Sequence, residues 1–142
     1  MIDRFREILN ELSPLLHTSL YPDRRGACKI KFNNLLEVQI EFQPEKNRLL
    51  MASFICEVAP GKFRENVFKD ALKINCPMPS HGTLSYCEKN NQLCLFQYIY
   101  LEYITGQKIF DLLQSFVQKG NTWRTAVASG HTATLVPFTP VK

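Results

Sequence analysis

Three features are missing from this sequence of 142 residues: a long apolar run, a block of like charges and a closely spaced pair of cysteines. No run approaches the roughly 18 apolar residues of a membrane span, so we expect no membrane insertion. Charged residues between Asp3 and Glu7 stand where a signal peptide has its apolar core. This predicts a chain that stays in the compartment where it is made.

Metal and disulfide chemistry have little support in the sequence. The cysteines are odd in number and none belongs to a C-x-x-C motif; they are Cys28, Cys56, Cys76, Cys87 and Cys94. The histidines are spread over the three thirds of the chain, at His17, His81 and His131. This pattern is typical of reduced, structural thiols and loop histidines, so we predict no metal ligand.

The usual signatures of catalysis and phosphate binding are missing as well. There is no G-x-S-x-G, no G-x-x-x-x-G-K-[ST] and no G-x-G-x-x-G, and the six glycines are scattered singly. We therefore predict no catalytic residue and no cofactor. A small-molecule enzyme without a sequence signature stays open as an alternative, and a deep pocket holding two perturbed ionisable groups would favour it.

Charge gives only a weak indication of partners. The chain has 17 basic and 13 acidic residues, a net charge of +4, and the two signs alternate along it. The most basic stretch contains Arg24, Arg25, Lys29 and Lys31, without the interleaved aromatic residues of single-strand binders. We therefore expect no nucleic-acid partner.

What the sequence does contain is a clear succession of helical and strand periods. Apolar residues that recur every three or four positions predict three helices, at 2–16, 63–72 and 105–120, the last with further turns up to 124. Alternating residues predict five strands, at 28–32, 36–42, 48–58, 83–88 and 92–103. The expected fold class is α+β, a twisted antiparallel sheet of about five strands with three helices in the order α-β-β-β-α-β-β-α. We assign residues 1–128 to one domain and residues 129–142 to a mobile tail.

The alternation also fixes the register of the first hairpin. A two-residue loop would set Ile30 opposite Glu37 and mix the buried and exposed faces. A three-residue loop, 33–35, instead sets Ile30 opposite Val38 and places Lys31 against Glu37, a favourable cross-strand pair. We predict the second register.

Two predicted strands, 48–58 and 92–103, are mostly apolar on both faces. Three helices on one side of the sheet cannot cover all of this surface. Helices on both sides would explain it; otherwise the uncovered face is buried against another chain, because large apolar patches mark interaction surfaces. We favour a homodimer through strand 92–103, since aromatic residues are enriched in interface cores. The candidate interface residues are Leu95, Phe96, Tyr98 and Tyr100.

Three stretches resemble the class I type III secretion chaperones, the CesT/SycE-like family. They are G-A-C-K-I-K-F-N-N at 26–34, A-L-K-I-N at 71–75 with the strand T-L-S-Y that follows, and Phe116-Val117 followed by Trp123-Arg124. They are similar to the family's G-x-C-x-φ-x-φ-D-D strand and turn, its A-L-x-x-N helix end and its terminal F-φ-x5-W-R pattern. The resemblance covers nearly the whole chain, and the order of the elements matches too.

This resemblance implies a homodimer in the bacterial cytoplasm that binds the N-terminal region of a secreted effector in extended form. It also implies that the cargo is kept soluble and is handed to the secretion-system ATPase. An extended segment can pair with a free sheet edge while its apolar side chains fill surface pockets. We expect such pockets between the first helix and the first three strands, with candidate residues Phe5, Leu9, Leu12, Leu16, Leu49, Met51 and Ile55. Core packing is the alternative for each residue, and a scaffold domain unconnected with secretion is the alternative for the chain.

The sequence departs from the family in two respects. Leu35 stands where the family often has glycine, at the close of the first hairpin. The isoelectric point is about 8.8, whereas these chaperones tend to be acidic.

Overall fold

The computed structural model describes residues 2–32, 36–76 and 78–131. The helices are α1 (Ile2–Leu16), α2 (Lys62–Asn75) and α3 (Gly106–Ala128). The strands are β1 (Ala27–Lys31), β2 (Glu37–Gln43), β3 (Arg48–Glu57), β4 (Thr83–Cys87) and β5 (Gln92–Tyr100). They form one antiparallel sheet in the order β1-β2-β3-β5-β4. The predicted α+β class and the predicted order of elements are confirmed.

The first hairpin has the predicted register. Ile30 pairs with Val38 and Lys31 pairs with Glu37. The N–H of Phe32 also donates to the carbonyl of Leu36 at 3.0 Å, which closes the strand pair. The three-residue loop itself, with Leu35, lies outside the described residues.

The helices pack against one face of the sheet, which we call the helix face. The ring of Phe5 on α1 stacks on Phe42 of β2, with 5.8 Å between centroids. On α2, the ring of Phe68 lies 4.7 Å from that of Tyr86 of β4. On α3, Gly120 lies so close to Leu36 and Ile55 that a Cβ atom there would overlap the Leu36 side chain. The helix face of β2, β3 and β5 carries Val38, Ile40, Phe42, Leu49, Met51, Leu93, Leu95 and Ile99, all buried.

The opposite face, which we call the open face, carries no helix of the described chain. Period-two alternation places Lys29, Gln39, Leu50, Ala52, Phe54, Phe96, Tyr98 and Tyr100 there. Apolar β3 and β5 residues therefore lie on both sides of a sheet that the described helices cover on one side only. Within the described residues the helices do not lie on both sides of the sheet.

Three details differ from the sequence predictions. A bulge between Phe54 and Cys56 pairs Cys56 with Leu93, so Cys56 lies on the helix face and does not continue the row of Phe54. Leu72, predicted in the buried stripe of α2, is 68% exposed. The last strand ends at Tyr100, and a turn follows in which Tyr103 has a left-handed backbone (φ 62°).

The helix α1 is held in place by α3. The N–H of Gly106, the first residue of α3, donates to the carboxylate of Glu11 at 2.7 Å. A Cβ atom on Gly106 would overlap Glu11, so glycine is needed for this close approach. α3 ends at Ala128, and residues 132–142 of the predicted mobile tail lie outside the described residues.

Candidate functional site

The structure places most of the predicted effector-binding residues in the core. Six of them are at most 4% exposed: Phe5, Leu9, Leu12, Leu49, Met51 and Ile55. The stripe of α1 belongs to the core, where Phe5 stacks on Phe42 of β2, and its side chains do not leave the pockets that were expected. This corrects the expected geometry, since the surface of these side chains is already used by the chain's own packing. Leu16, at the end of α1, is the one that stays partly exposed.

β1 is an edge strand, and its backbone groups without a partner among the described residues belong to Lys29 and Lys31. The N–H of Phe42 donates to the carbonyl of Gly26 at 2.8 Å, and the matching bond from Phe32 lies at the other end of the strand pair. Hydrogen-bonded pairs alternate along an antiparallel ladder, so residues 26, 28, 30 and 32 point their backbone groups towards β2. Those of residues 29 and 31 consequently point away from the sheet.

One end of this edge is closed by a turn at Asp23. The N–H of Asp23 donates to the carbonyl of Ala27 (2.7 Å), and the N–H of Ala27 donates back to the Asp23 carboxylate (2.9 Å). The N–H of Arg25 donates to the same oxygen (2.8 Å). These bonds to the charged form, that from Ala27 first, lower the pKa of Asp23. The part of the edge left open is thus the Lys29–Lys31 stretch.

A groove of about 340 Å³ lies against the open part of β1. Its lining residues are Leu16, Thr18, Ser19, Leu20, Lys29, Ile30, Lys31 and Phe32. Leu16 and Phe32 are half-buried and supply apolar surface, while Leu20 and Ile30 are buried behind them. Free strand edge, apolar surface and hydroxyl groups together suit an extended peptide, which needs backbone partners and side-chain pockets.

The groove is flanked by two exposed lysines of β1. The side chains of Lys29 and Lys31 are exposed and point towards the open face. Within the part of the chain that the structure describes, neither forms a salt bridge. In the register of β1 and β2, Lys31 stands across from Glu37 and Lys29 from the neutral Gln39. A partner strand on this edge therefore meets two ammonium groups.

A second candidate surface is the aromatic row of the open face. Phe54 is 55% exposed, Tyr98 is 41% exposed and Tyr100 is 60% exposed. Phe96 is half-buried and meets the ring of Tyr98 edge-on at 5.7 Å between centroids. A hollow of about 330 Å³ lies beside Phe54 and Phe96. Aromatic residues at this exposure on one face indicate a protein-binding surface.

Arg48 holds this row together. Its guanidinium carbon lies 3.7 Å from the centroid of the Tyr98 ring. Its Nε donates to Oε1 of Gln43 at 2.7 Å, and one Nη donates to the hydroxyl of Tyr100 at 3.4 Å. The guanidinium thus orders the side chains of Tyr98 and Tyr100 in the free chain. This ordering lowers the loss of side-chain conformational entropy that binding to this face would cost.

The structure brings Phe96, Tyr98 and Tyr100 together but separates Leu95 from them. Leu95 lies on the helix face and is fully buried, because neighbours along a strand point to opposite faces. The grouping of Leu95 with the candidate interface is corrected accordingly. The candidate interface predicted from the sequence also omitted Phe54 and Arg48. Pairing β3 with β5 would have placed both on the open face, beside Tyr98 and Tyr100.

Metal binding, membrane insertion and thiol chemistry have little support in residues 2–32, 36–76 and 78–131. No group of three or more His, Cys, Asp or Glu side chains there could hold a metal ion. None of the helices described is long and apolar enough to cross a membrane. Burial raises the pKa of the thiols of Cys28, Cys56 and Cys94, which favours the protonated, less nucleophilic form.

Chains of several solved protein complexes share this fold. A chain of the HopA1–SchA chaperone–effector complex matches with a TM-score of 0.73 at 17% identity, over 88% of this chain and 96% of that one. A chain of the ExsC–ExsE complex matches with a TM-score of 0.73 at 15% identity, over 88% and 94%. The structure of the Yersinia pestis type III secretion chaperone SycH with a fragment of YscM2 matches with a TM-score of 0.67 at 16% identity, over 82% and 96%. At these identities the likeness establishes the fold.

The sequence establishes the family. The model of the Tir chaperone protein (CesT) family matches residues 7–124, and the chain belongs to this family. No curated protein matches the sequence. The predicted class I type III secretion chaperone family is confirmed, and with it the function as a chaperone of type III secretion effectors.

Proposed function

We propose that this chaperone binds the N-terminal region of a secreted effector as an extended strand on the edge of β1, and that it works as a homodimer. The observation that carries the proposal is the free backbone of Lys29 and Lys31 beside a groove of about 340 Å³. The SchA structure, which has the same fold, is a chaperone–effector complex.

The binding step follows from the chemistry of a strand edge. Lys29 and Lys31 offer two donors and two acceptors, and each hydrogen bond formed with a cargo strand contributes about 0.5–1.5 kcal/mol. Apolar side chains of the cargo pack on Leu16 and Phe32 in the groove. A cargo held in this way is extended and its apolar residues are covered. It therefore stays soluble until it passes to the secretion-system ATPase in the bacterial cytoplasm.

The seven residues predicted for effector binding keep a role in this proposal. Leu16 contacts cargo in the groove. The other six lie in the core and do not contact the cargo. Their packing sets the position of α1 relative to β1 and β2, and hence the width of the groove. Larger exposure of their side chains would require α1 to move on binding.

A proline at position 31 tests strand addition. The N–H of Lys31 points away from β2 at the free edge of the sheet. Lys31→Pro therefore removes a hydrogen-bond donor that the cargo strand needs and leaves the β1–β2 ladder intact. Lys31→Ala removes the same side chain and keeps the N–H. We expect Lys31→Pro to bind an effector N-terminal segment at least about fivefold more weakly than Lys31→Ala, by calorimetric titration.

The segment for this experiment comes from the effector that co-purifies from the native cytosol. Its N-terminal region, co-expressed with the chaperone, should become soluble and resist protease. Thermal unfolding checks that both variants fold alike. Equal affinity of the two variants would contradict strand addition on β1, and an effector segment that gains no protection would contradict cargo binding altogether.

The homodimer is proposed through the aromatic row of the open face. The row lies on β3 and β5, the two strands beyond β2 when counted from the edge strand β1. A second copy seated on this row leaves Lys29 and Lys31 of β1 to the cargo. Arg48, Tyr98 and Tyr100 have the pre-ordered packing and the residue types of interface hot spots.

Charge placed in the aromatic row should separate the dimer. We expect Tyr98→Glu to sediment as a monomer at micromolar concentration, because a carboxylate would be buried without a partner. Tyr103→Glu, at a site 94% exposed and outside the sheet, is the matched control and should stay dimeric. If Tyr98→Glu stays dimeric and Leu72→Glu is a monomer, the interface lies on α2 and not on the aromatic row. If the wild-type chain is itself a monomer, the homodimer is wrong.

A further inference from the structure

We infer that the cargo strand on β1 alternates apolar and acidic residues, with two acidic residues spaced two apart that face Lys29 and Lys31. This inference rests on the proposed function and adds the chemistry of the segment that the site selects. It follows from which side chains and which backbone groups share the open stretch of β1.

The free backbone groups and the two exposed ammonium groups belong to the same residues. A cargo strand that hydrogen-bonds to Lys29 and Lys31 places one of its residues directly across from each. Side chains that face each other in this way lie on the same side of the sheet, with Cβ atoms about 5 Å apart. The two cargo residues are therefore two apart and both lie beside ammonium groups.

The cargo residues next to them point to the opposite side of the sheet. There they meet the groove formed by Leu16, Leu20 and Phe32. An apolar side chain fits this position, and a charged one would be desolvated without a partner. The alternation of β1 is thus expected in the cargo, with apolar residues towards the groove and acidic residues towards the lysines.

The charges around the edge favour an acidic partner at both positions. Arg24 and Arg25 are exposed in the preceding loop, and the nearby carboxylate of Asp23 is already bonded to two backbone N–H groups. Each lysine has one acidic neighbour, since Glu37 faces Lys31 from β2 and the charge of Asp23 interacts with Lys29. Both lysines are exposed, and both are expected to contribute to selectivity.

The same charges select against a second copy of this chain as the occupant. If β1 paired with β1 of another copy, lysines would face lysines across the new ladder, and like charges in this position repel. Charged residues on an edge strand are a common means of preventing such self-pairing. In an acidic, alternating segment of another protein, carboxylates would face these lysines and attract them.

The test uses two labelled peptides of twelve residues, one alternating valine and glutamate and the other alternating valine and lysine. We expect the full-length chaperone to bind the glutamate peptide about tenfold more tightly than the lysine peptide, by fluorescence anisotropy at about 50 mM salt. Raising the salt to about 500 mM should reduce this preference, because exposed charges are screened.

Charge-reversed variants of the chaperone separate local charge from net charge. Lys29→Glu/Lys31→Glu should reverse the preference and bind the lysine peptide more tightly. Lys89→Glu/Lys108→Glu changes two exposed lysines far from β1 in sequence and lowers the net charge from +4 to 0 by the same amount. This control should keep the wild-type preference for glutamate.

The outcomes for the inference and for the proposed function are distinct. Equal binding of the two peptides, binding of neither, or loss of preference in the Lys89/Lys108 control would overturn the alternating acidic cargo. If the effector segment still binds and is sensitive to Lys31→Pro, strand addition stands without this selectivity. If the effector segment does not bind the wild-type chain, the proposed function fails instead.

Discussion

Both outer strands of the sheet have backbone groups that no other strand pairs with, and they differ at Leu84 on β4, which a side chain covers, and at Lys29 and Lys31 on β1. At β4 the side-chain amide of Asn75 donates from Nδ2 to the carbonyl of Leu84 at 2.8 Å. The N–H of Leu84 donates to Oδ1 of the same amide at 3.0 Å. One side chain thus bonds to both backbone groups of Leu84, whereas the edge at Lys29 and Lys31 has no such cover among the described residues.

The segment that leads into β4 is fixed as well. Nζ of Lys119, on α3, donates to the carbonyls of Ser80 and Gly82, both at 2.7 Å. The closed edge is therefore held by two helices, through Asn75 on α2 and Lys119 on α3. Asn75 and Lys119 thus close the stretch 80–84 at the start of β4, while Lys29 and Lys31 on β1 keep backbone groups without a partner among the described residues. Free strand edges promote aggregation unless they are covered or charged, which fits a cover at β4 and lysines at β1.

The largest effect on the closed edge is expected from Lys119→Ala. The substitution removes two hydrogen bonds from a charged donor, but it also relieves the cost of burying the ammonium group. We expect the free energy of unfolding at pH 7 to fall by about 2 kcal/mol, measured by urea denaturation. Lys108→Ala, an exposed lysine on the same helix, should change it by less than about 0.5 kcal/mol. Equal stability of the two variants would contradict the anchoring role.

The same variant has a defined pH dependence. Desolvation lowers the pKa of Lys119 from 10.5 to about 8 in the folded chain. Between these values the unfolded chain binds more protons than the folded chain, so wild-type stability gains up to about 1 kcal/mol per pH unit as the pH rises. Lys119→Ala lacks this gain, and the gap to wild type should widen above pH 8 and stay constant below it.

The sequence was sufficient to predict the helices, the strands and the register of the first hairpin. Regular alternation in β1 and β2 left one register that keeps lysine against glutamate and isoleucine against valine, and that register is observed. The same period placed Tyr98 and Tyr100 on one face. Local patterns of this kind need no knowledge of which strands are neighbours.

The candidate site needed information that alternation does not contain. An apolar stripe such as Phe5, Leu9 and Leu12 looks the same whether it forms a pocket or the core, and only packing decides. The open edge depends on the strand order, in which β5 lies between β3 and β4. The cover at β4 depends on one side chain, Asn75, reaching a strand nine residues away. The A-L-x-x-N helix end contains this residue but does not reveal its bond.

A smaller effect that bears directly on the two edges is expected from Asn75→Ala. It leaves the N–H and carbonyl of Leu84 without their partner, which costs about 1–3 kcal/mol of unfolding free energy if water does not replace the amide. Asn66→Ala, an exposed asparagine of the same helix, is the matched control and should have no measurable effect on stability. Because Asn75→Ala also uncovers β4, we expect concentration-dependent self-association in sedimentation velocity that the control does not show. If Asn75→Ala were as stable and as monodisperse as Asn66→Ala, the amide would not be what closes β4, and the difference between the two edges would have to rest on the lysines of β1 alone.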